Sequence, residues 1–468
     1  MVDYVKLRKE ILGEEKGKKA NKGILNVALF YPQNYHIAIS TLAFHRIFEL
    51  TRRVNNTGIG RFFFEGSKRD KFILSLDQRF NLMESVIVAF FLSYELDFIN
   101  LLRCLKTLSL PLKSKDRKDF PILIGGGTAI TQNPEPLADI LDLIFLGESE
   151  ESYPRFLNLC LNYSDKAYIL EKAKDIPGVY VPALQTSPPE RQYYKNFKKD
   201  FARSMFYSSR AEFGECELIE ISRGCPALCK FCISRTLYSP PRFADKDTAK
   251  EIIAESPIKK IGFLGAATSF HPYIKELMEF ALQQNKEFSI SSLRTDLIDK
   301  DFVRLLKAGG TRTITLAPEA GTQRLRDVIC KGVNEEHIEE AIKITLEEGI
   351  DNIKLYFMYG LPAEEREDTE GIIRTGEKIR KIEQWSRRNF KKRIFTLSPF
   401  VPKPHTPFSD EKFGDIKELS EKINYLRKQL TKLGIEVSYE HPKTAKLEWE
   451  IARADKDFFR REIEGGKV

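Results

Sequence analysis

Short apolar runs of strand length alternate with longer segments of helical period along most of this 468-residue chain. Residues 26–31 (NVALFY), 85–93 (SVIVAFFLS), 121–124 and 142–146 (DLIFL) have strand length, while 37–50 and 98–108 carry apolar residues at helical spacing. An unbroken apolar run such as 85–93 fits a strand covered on both faces. Strands separated by helices call for a parallel sheet with right-handed crossovers. The first part of the chain therefore reads as a Rossmann-like, doubly wound α/β domain over 1–161, preceded by a polar, basic run at 14–22 that reads as a solvated arm.

A polar stretch, 162–210, reads as a connector, and a second alternating series follows. Its strands fall at 217–222, 260–264, 288–293, 312–317, 353–358 and 393–399, with helices at 247–255, 273–284, 301–308, 335–348 and 369–385. Six β/α units suggest a parallel barrel, partial or complete, over 211–412, with its chemistry in the loops that follow the strands. A short, mainly helical extension, 413–468, closes the chain, with a helix at 416–433, a strand at 435–439 and a helix near 446–455.

Apolar residues make up 42% of the chain, which excludes a disordered or fibrous class. Lys and Arg exceed Asp and Glu by 8 charges, a mild excess that permits an anionic partner without requiring one. The most apolar stretch, 86–92, is far short of the roughly 20 residues a membrane span needs. Seven cysteines and no secretory leader point to reduced thiols in the cytoplasm.

Three of those cysteines stand together. Cys225, Cys229 and Cys232 form C-x3-C-x2-C within SRGCPALCKFC, directly after the first strand of the second series. Core packing alone would not crowd three thiols beside Arg223 and Lys230. C-x2-C is also a zinc half-site, but no His or second Cys pair follows at a fitting distance to complete four ligands. Three thiolates on one tight loop suit three corners of a cubane iron–sulfur cluster, with one iron left open. Cys104, Cys160, Cys216 and Cys330 are scattered singly and read as core or incidental thiols.

This spacing, with the aromatic Phe231 before the third cysteine, resembles the signature of the radical SAM superfamily. The resemblance implies a [4Fe-4S] cluster on Cys225, Cys229 and Cys232. Its open iron is chelated by S-adenosylmethionine, whose reductive cleavage gives methionine and a 5′-deoxyadenosyl radical. It also implies S-adenosylmethionine contacts from Phe231, from Gly265 at the second strand end, from Ser292 and Arg294 at the third, and from Glu319 at the fourth. Tyr359 precedes a Gly-Leu-Pro turn under the adenine, where the residues before Gly360 offer an apolar stacking surface. The second strand ends Gly265-Ala266-Ala267 and lacks the family's Gly-Gly-Glu. An external electron donor of ferredoxin or flavodoxin type is implied as a partner.

The glycine triplet at 125–127, then Asn133-Pro134-Glu135-Pro136 and Gly147-Glu148, resembles the cobalamin-binding domain fused ahead of some radical SAM barrels. That resemblance implies cobalamin held by Tyr35, Ser93, Tyr94, Gly125, Gly126, Gly127, Gly147 and Glu148. Many such domains carry D-x-H-x-x-G, whose His ligates cobalt; residues 34–39 supply His36 but neither the Asp nor the Gly. Either cobalamin is bound without that His, or the domain keeps the fold without the cofactor.

With both cofactors, the expected reaction is C-methylation of an unactivated carbon. Without cobalamin it is another radical reaction: rearrangement, sulfur insertion or RNA modification. A non-catalytic, metal-stabilised nucleic-acid-binding protein is the third reading, drawn from the basic run at 387–393 (RRNFKKR). The substrate is expected to be a peptide, a protein or a small molecule rather than nucleic acid, with no membrane partner. Lys403 and His405 lie where a substrate could reach them.

Overall fold

The structure, a computed structural model, describes residues 4–66, 70–291 and 293–464. The chain divides into two compact units. One comprises the residues up to Phe197, Ala202–Glu217 and the stretch from Ile451; the other comprises Lys198–Phe201 and Leu218–Glu450.

The first unit is built on β1 (Leu25–Tyr31), β2 (Thr57–Gly66), β3 (Lys71–Ser75), β4 (Ile87–Phe91), β5 (Ile122–Gly126), β6 (Leu143–Phe145) and β7 (Val179–Tyr180). They form one sheet in the order β3-β2-β1-β4-β5-β6-β7. β1 pairs in parallel with both β2 and β4, setting Val27 between Ile59 and Ile87. β5 and β6 continue the parallel run, and β3 and β7 close the two edges antiparallel. The direction of winding reverses at β1, as the doubly wound reading expects. All of β4 is buried, which matches its unbroken apolar sequence.

Residues 14–22 do not form the expected solvated arm. Helix Tyr4–Glu14 leads into Glu15, whose carboxylate joins Asp77 in gripping Arg61 at 2.7 and 2.8 Å, and Lys16–Gly17 pairs with Phe206–Tyr207. A fully buried guanidinium is tolerated only when paired, so this segment is fixed by the charge it must neutralise. The helix expected at 37–50 is two helices, Tyr35–Ala38 and Leu42–Arg53. The expected connector, 162–210, carries helix Lys166–Ala173 and β7, which adds a strand to the sheet.

The second unit holds β8 (Glu217–Arg223, all but its first residue), β9 (Lys260–Gly265), β10 (Glu287–Ile290), β11 (Thr313–Glu319), β12 (Asn352–Tyr359), β13 (Lys392–Pro399) and β14 (Glu436–Tyr439). The short strand Arg242–Phe243 and β8, β9 and β10 form one sheet in that order, and β11 to β14 form another. A parallel bridge between Leu293 and Leu316 joins the two, giving an open, partial barrel. Helices between the strands start where Asp245, Asp299 and Asn334 accept the first free N–H groups. β14 pairs in parallel with β13. The expected extension from 413 is therefore divided: its strand extends the barrel sheet, and only the part from Ile451 belongs with the first unit. No described helix is long and apolar enough to cross a membrane.

Candidate active site

The cysteine loop begins where β8 ends. Gly224 turns the chain at φ +76°, so close to Tyr238 that a Cβ would lie 2.2 Å from its carbonyl oxygen. Only glycine meets both demands without strain. The loop is then fastened at two points: the Lys230 N–H donates to the Ile329 carbonyl at 3.0 Å, and the Cys232 N–H donates to the Cys229 carbonyl at 3.3 Å. Phe231 packs against the small apolar cluster of Ala320, Leu325, Ile329, Leu361, Phe400 and Phe408.

Cys225, Cys229 and Cys232 all line one cavity of about 400 Å³. Ala266 to Phe270, Arg294, Glu319, Lys331, Tyr356 and Met358 complete most of its wall. Burial pushes the Cys225 and Cys229 thiols up, while the charges of Lys331 and Arg294 act to bring them down. Thiolates are the metal-binding form, so metal uptake releases their protons. Among the described residues, no three His, Cys, Asp or Glu side chains are arranged to hold a single metal ion. A tetrahedral zinc site gathers its sulfurs around one atom, whereas a cubane takes each cysteine on a separate iron. Three thiols around one cavity fit the cubane.

Glu319 ends β11 beyond a bulge, at φ +70°, a region unusual for a residue with a side chain. The turn brings its carboxylate to the cavity, where Lys331 donates to it at 3.0 Å. Arg294 also lines the cavity, with its guanidinium forked onto Asp296 at 2.7 and 2.9 Å and lying 5.3 Å from the Phe270 ring centre. Ser292 lies outside the described residues. Gly265 sits against Ser222, where a Cβ would fall 2.1 Å from Oγ, and its carbonyl accepts from Thr268 at 3.2 Å. The cavity wall on that side is supplied by the residues that follow it. Tyr359 is fully buried, its hydroxyl without a hydrogen-bond partner, and Tyr356, Phe357 and Met358 line the cavity instead.

Lys331 was not among the residues expected from the sequence. Its one sequence signal is an isolated cation between the apolar run Val328-Ile329-Cys330 and Gly332. Lys403, expected near a substrate, is paired with Glu448 at 2.5 Å.

In the first unit, most of the glycines expected to hold cobalamin leave no room for a side chain, and two of the other expected residues are hydrogen-bonded within the unit. A Cβ on Gly125 would lie 2.5 Å from Leu141, one on Gly127 2.6 Å from the Leu92 carbonyl oxygen, and one on Gly147 2.2 Å from that of Gln192. The Tyr35 hydroxyl donates to Glu15 at 2.8 Å, and Glu148 accepts from the Tyr194 N–H at 2.7 Å. Ser93 and Tyr94 follow β4, with the Tyr94 N–H donating to Asp97 at 3.1 Å. Gly126 is the exception, with nothing closer to a Cβ than Phe145 at 3.8 Å. His36 is exposed on the four-residue helix Tyr35–Ala38.

Comparison with known proteins places this geometry. Residues 44–182 match the family described as radical SAM proteins, N-terminal, and residues 219–376 match the radical SAM superfamily. An uncharacterized protein of Methanocaldococcus jannaschii is 32% identical over 443 residues, covering 93% of this chain and 90% of that one. The chain belongs to the radical SAM superfamily. A radical SAM protein is an enzyme that uses S-adenosylmethionine and a [4Fe-4S] cluster, and here the three thiols, Glu319, Lys331 and Arg294 stand on one cavity. An uncharacterized methyltransferase of Pyrococcus horikoshii is 27% identical over 291 residues, 57% of this chain and 60% of that one. Among solved structures, the cobalamin-dependent S-adenosylmethionine radical enzyme OxsB, with aqua-cobalamin and S-adenosylmethionine bound, aligns over 86% of this chain and 61% of its own. The TM-score is 0.54 at 13% identity, a likeness of fold.

Proposed function

We propose that this radical SAM enzyme activates an unactivated C–H bond of its substrate inside the barrel unit. Cys225, Cys229 and Cys232 would hold the cluster, and the Glu319–Lys331 pair, Arg294 and Tyr356 would line the S-adenosylmethionine site. The observation that carries the reading is that all of these side chains border the same cavity of about 400 Å³. When bound, the two cofactors supply a one-electron cleavage of the sulfonium, which yields an oxidant able to take hydrogen from carbon. The chain's own residues hold and orient the cofactors and keep water out. An external one-electron donor of ferredoxin or flavodoxin type completes the scheme, and a reducing cytoplasm suits cysteines that form no disulfide among the described residues.

The test is anaerobic reconstitution with iron and sulfide, reduction, and assay of 5′-deoxyadenosine from S-adenosylmethionine. Wild type is expected to form it, and Cys225→Ala, Cys229→Ala and Cys232→Ala each to lose it while keeping a folded circular-dichroism spectrum. Folded wild type that assembles a cluster yet releases no 5′-deoxyadenosine would sink the reading.

Cobalamin-dependent C-methylation is a second reading, supported by the OxsB likeness and by the relative named a methyltransferase. Among the positions expected to cradle the cofactor, a side chain at Gly127 or Gly147 would meet backbone, and the Tyr35 hydroxyl is bonded to Glu15. The alternative is another radical reaction, such as rearrangement, sulfur insertion or RNA modification, in a chain whose first domain keeps the fold without the cofactor. Absorption spectra of the anaerobically purified protein, with and without added cobalamin, decide between the two. Retained cobalamin would restore the methylation reading.

A further inference from the structure

Lys331 is a buried ammonium whose backbone is held from both sides. Helix Gln323–Val328 ends at Ile329, and Cys330 takes φ +52°, which turns the chain back on itself. The Lys331 N–H then donates to the Arg326 carbonyl at 2.9 Å, while Arg294 donates to the carbonyls of Lys331 and Gly332 at 3.1 and 3.3 Å. A left-handed residue with a side chain carries a conformational cost. Here the turn delivers one cation into the wall of the cavity that holds the three thiols.

The lysine side chain is 10% exposed, with Glu319 as its anionic partner at 3.0 Å and the Phe231 ring centre 5.9 Å from Nζ. The pair is neutral overall, but each partner is a separate full charge on the wall of the cavity that the three thiols share. The other cation of this wall, Arg294, is forked onto Asp296, which offsets much of its charge. Lys331 is thus a buried cation on the cavity wall that the three thiols share.

Resting on the reading that these cysteines hold a cluster, we propose that Lys331 sets the reduction potential of that cluster, with Glu319 as its counterweight. Reduction by one electron adds one negative charge to the cluster, and a buried cation beside it favours the charged, reduced form. Cluster potentials respond to local charge and burial in this way. Removing the ammonium lowers the potential; removing the carboxylate while keeping the ammonium raises it.

The test is redox potentiometry of the anaerobically reconstituted full chain without S-adenosylmethionine, read by the electron paramagnetic resonance of the reduced cluster. Lys331→Met is expected to cut the reduced-to-oxidised ratio at fixed poise about tenfold, a fall of about 59 mV for a one-electron couple. Glu319→Gln is expected to move it the opposite way, and Lys331→Arg to stay near wild type. A merely structural role would not produce shifts of opposite sign. Unmoved potentials in Lys331→Met and Glu319→Gln, or shifts in the same direction, overturn the proposal. Should Lys331→Met fail to retain a cluster, the rise in Glu319→Gln and the wild-type value in Lys331→Arg decide it. Wild type that assembles no cluster overturns the functional reading itself, whereas an assembled cluster with unmoved potentials overturns only the role of Lys331.

Discussion

Glycines 126 and 127 are neighbours in sequence and opposites in environment. Gly127 has φ +136° and its missing Cβ position lies 2.6 Å from the Leu92 carbonyl oxygen, whereas at Gly126 a Cβ meets only Phe145 at 3.8 Å. Gly127→Ala is expected to destabilise by about 1–3 kcal/mol through overpacking and strain, and Gly126→Ala to stay within about 0.5 kcal/mol, read from urea midpoints. His45 gives a prediction of another kind. It is fully buried, its Nε2 bonded to the Ile39 carbonyl at 2.8 Å while Nδ1 accepts from the Met205 N–H at 2.9 Å. A second proton would destroy the Nδ1 acceptor, and burial holds the imidazole down at about 4. The unfolded chain protonates His45 near pH 6.5, so its stabilising effect is full above that pH and lost as pH falls toward 4, by about 3 kcal/mol in all. Asp97, buried and pushed up to about 6, works in the opposite direction, losing stability as pH rises from about 4 to 6. The measurement is therefore a difference: between pH 7 and pH 5 the urea midpoint of wild type should fall further than that of His45→Gln. Parallel falls would remove His45 as the acid-sensitive group.

At the scale of elements, the turn that presents Glu319 is clamped to the start of helix Arg366–Ser386 through two glycines. A Cβ on Gly321 would lie 2.1 Å from the Asp368 carbonyl oxygen, and one on Gly371 2.3 Å from the Gly321 carbonyl oxygen. Buried Asp368 reinforces the contact, accepting from Thr322 and Arg324. Alanine normally gains about 1 kcal/mol over glycine within a helix, but Gly371→Ala should reverse that sign and cost about 1–3 kcal/mol; a urea midpoint at or above wild type would refute the clamp. Elements of this unit were legible because each strand from β8 to β13 announces itself as an apolar run of the right length. β2 was not, since Arg61 interrupts its apolar pattern and the partners that permit the charge, Glu15 and Asp77, are remote in sequence. The cysteines were legible because covalent spacing brings them together. Lys331 was hidden, because it reaches Glu319 only through a left-handed turn at Cys330. Tyr359 lies just past the residues of β12 that line the cavity: in Tyr356-Phe357-Met358-Tyr359 nothing in residue type marks where that lining stops.

For the whole molecule, the division of the chain matters more than its length. The first unit includes the stretch from Ile451, where Asn133 donates to the carbonyls of Ala452 and Ala454 at 3.2 and 2.8 Å and Arg460 pairs with Asp139 at 2.6 Å. Truncation after Glu450 should therefore loosen the N-terminal sheet and leave the barrel intact. Hydrogen exchange should show protection lost in β5 to β7 and kept in β11 to β13; the reverse pattern would overturn the assignment. The same division sets a clock on synthesis. About 230 residues separate Glu217 from Ile451, and a ribosome adding roughly 5–20 residues per second takes about 12–45 seconds to cross them. The barrel can thus be translated in full while the first unit still waits for its last segment. An interrupted translation product would carry every cysteine of the cluster loop and an unfinished N-terminal unit, a difference that proteases in the cell can read.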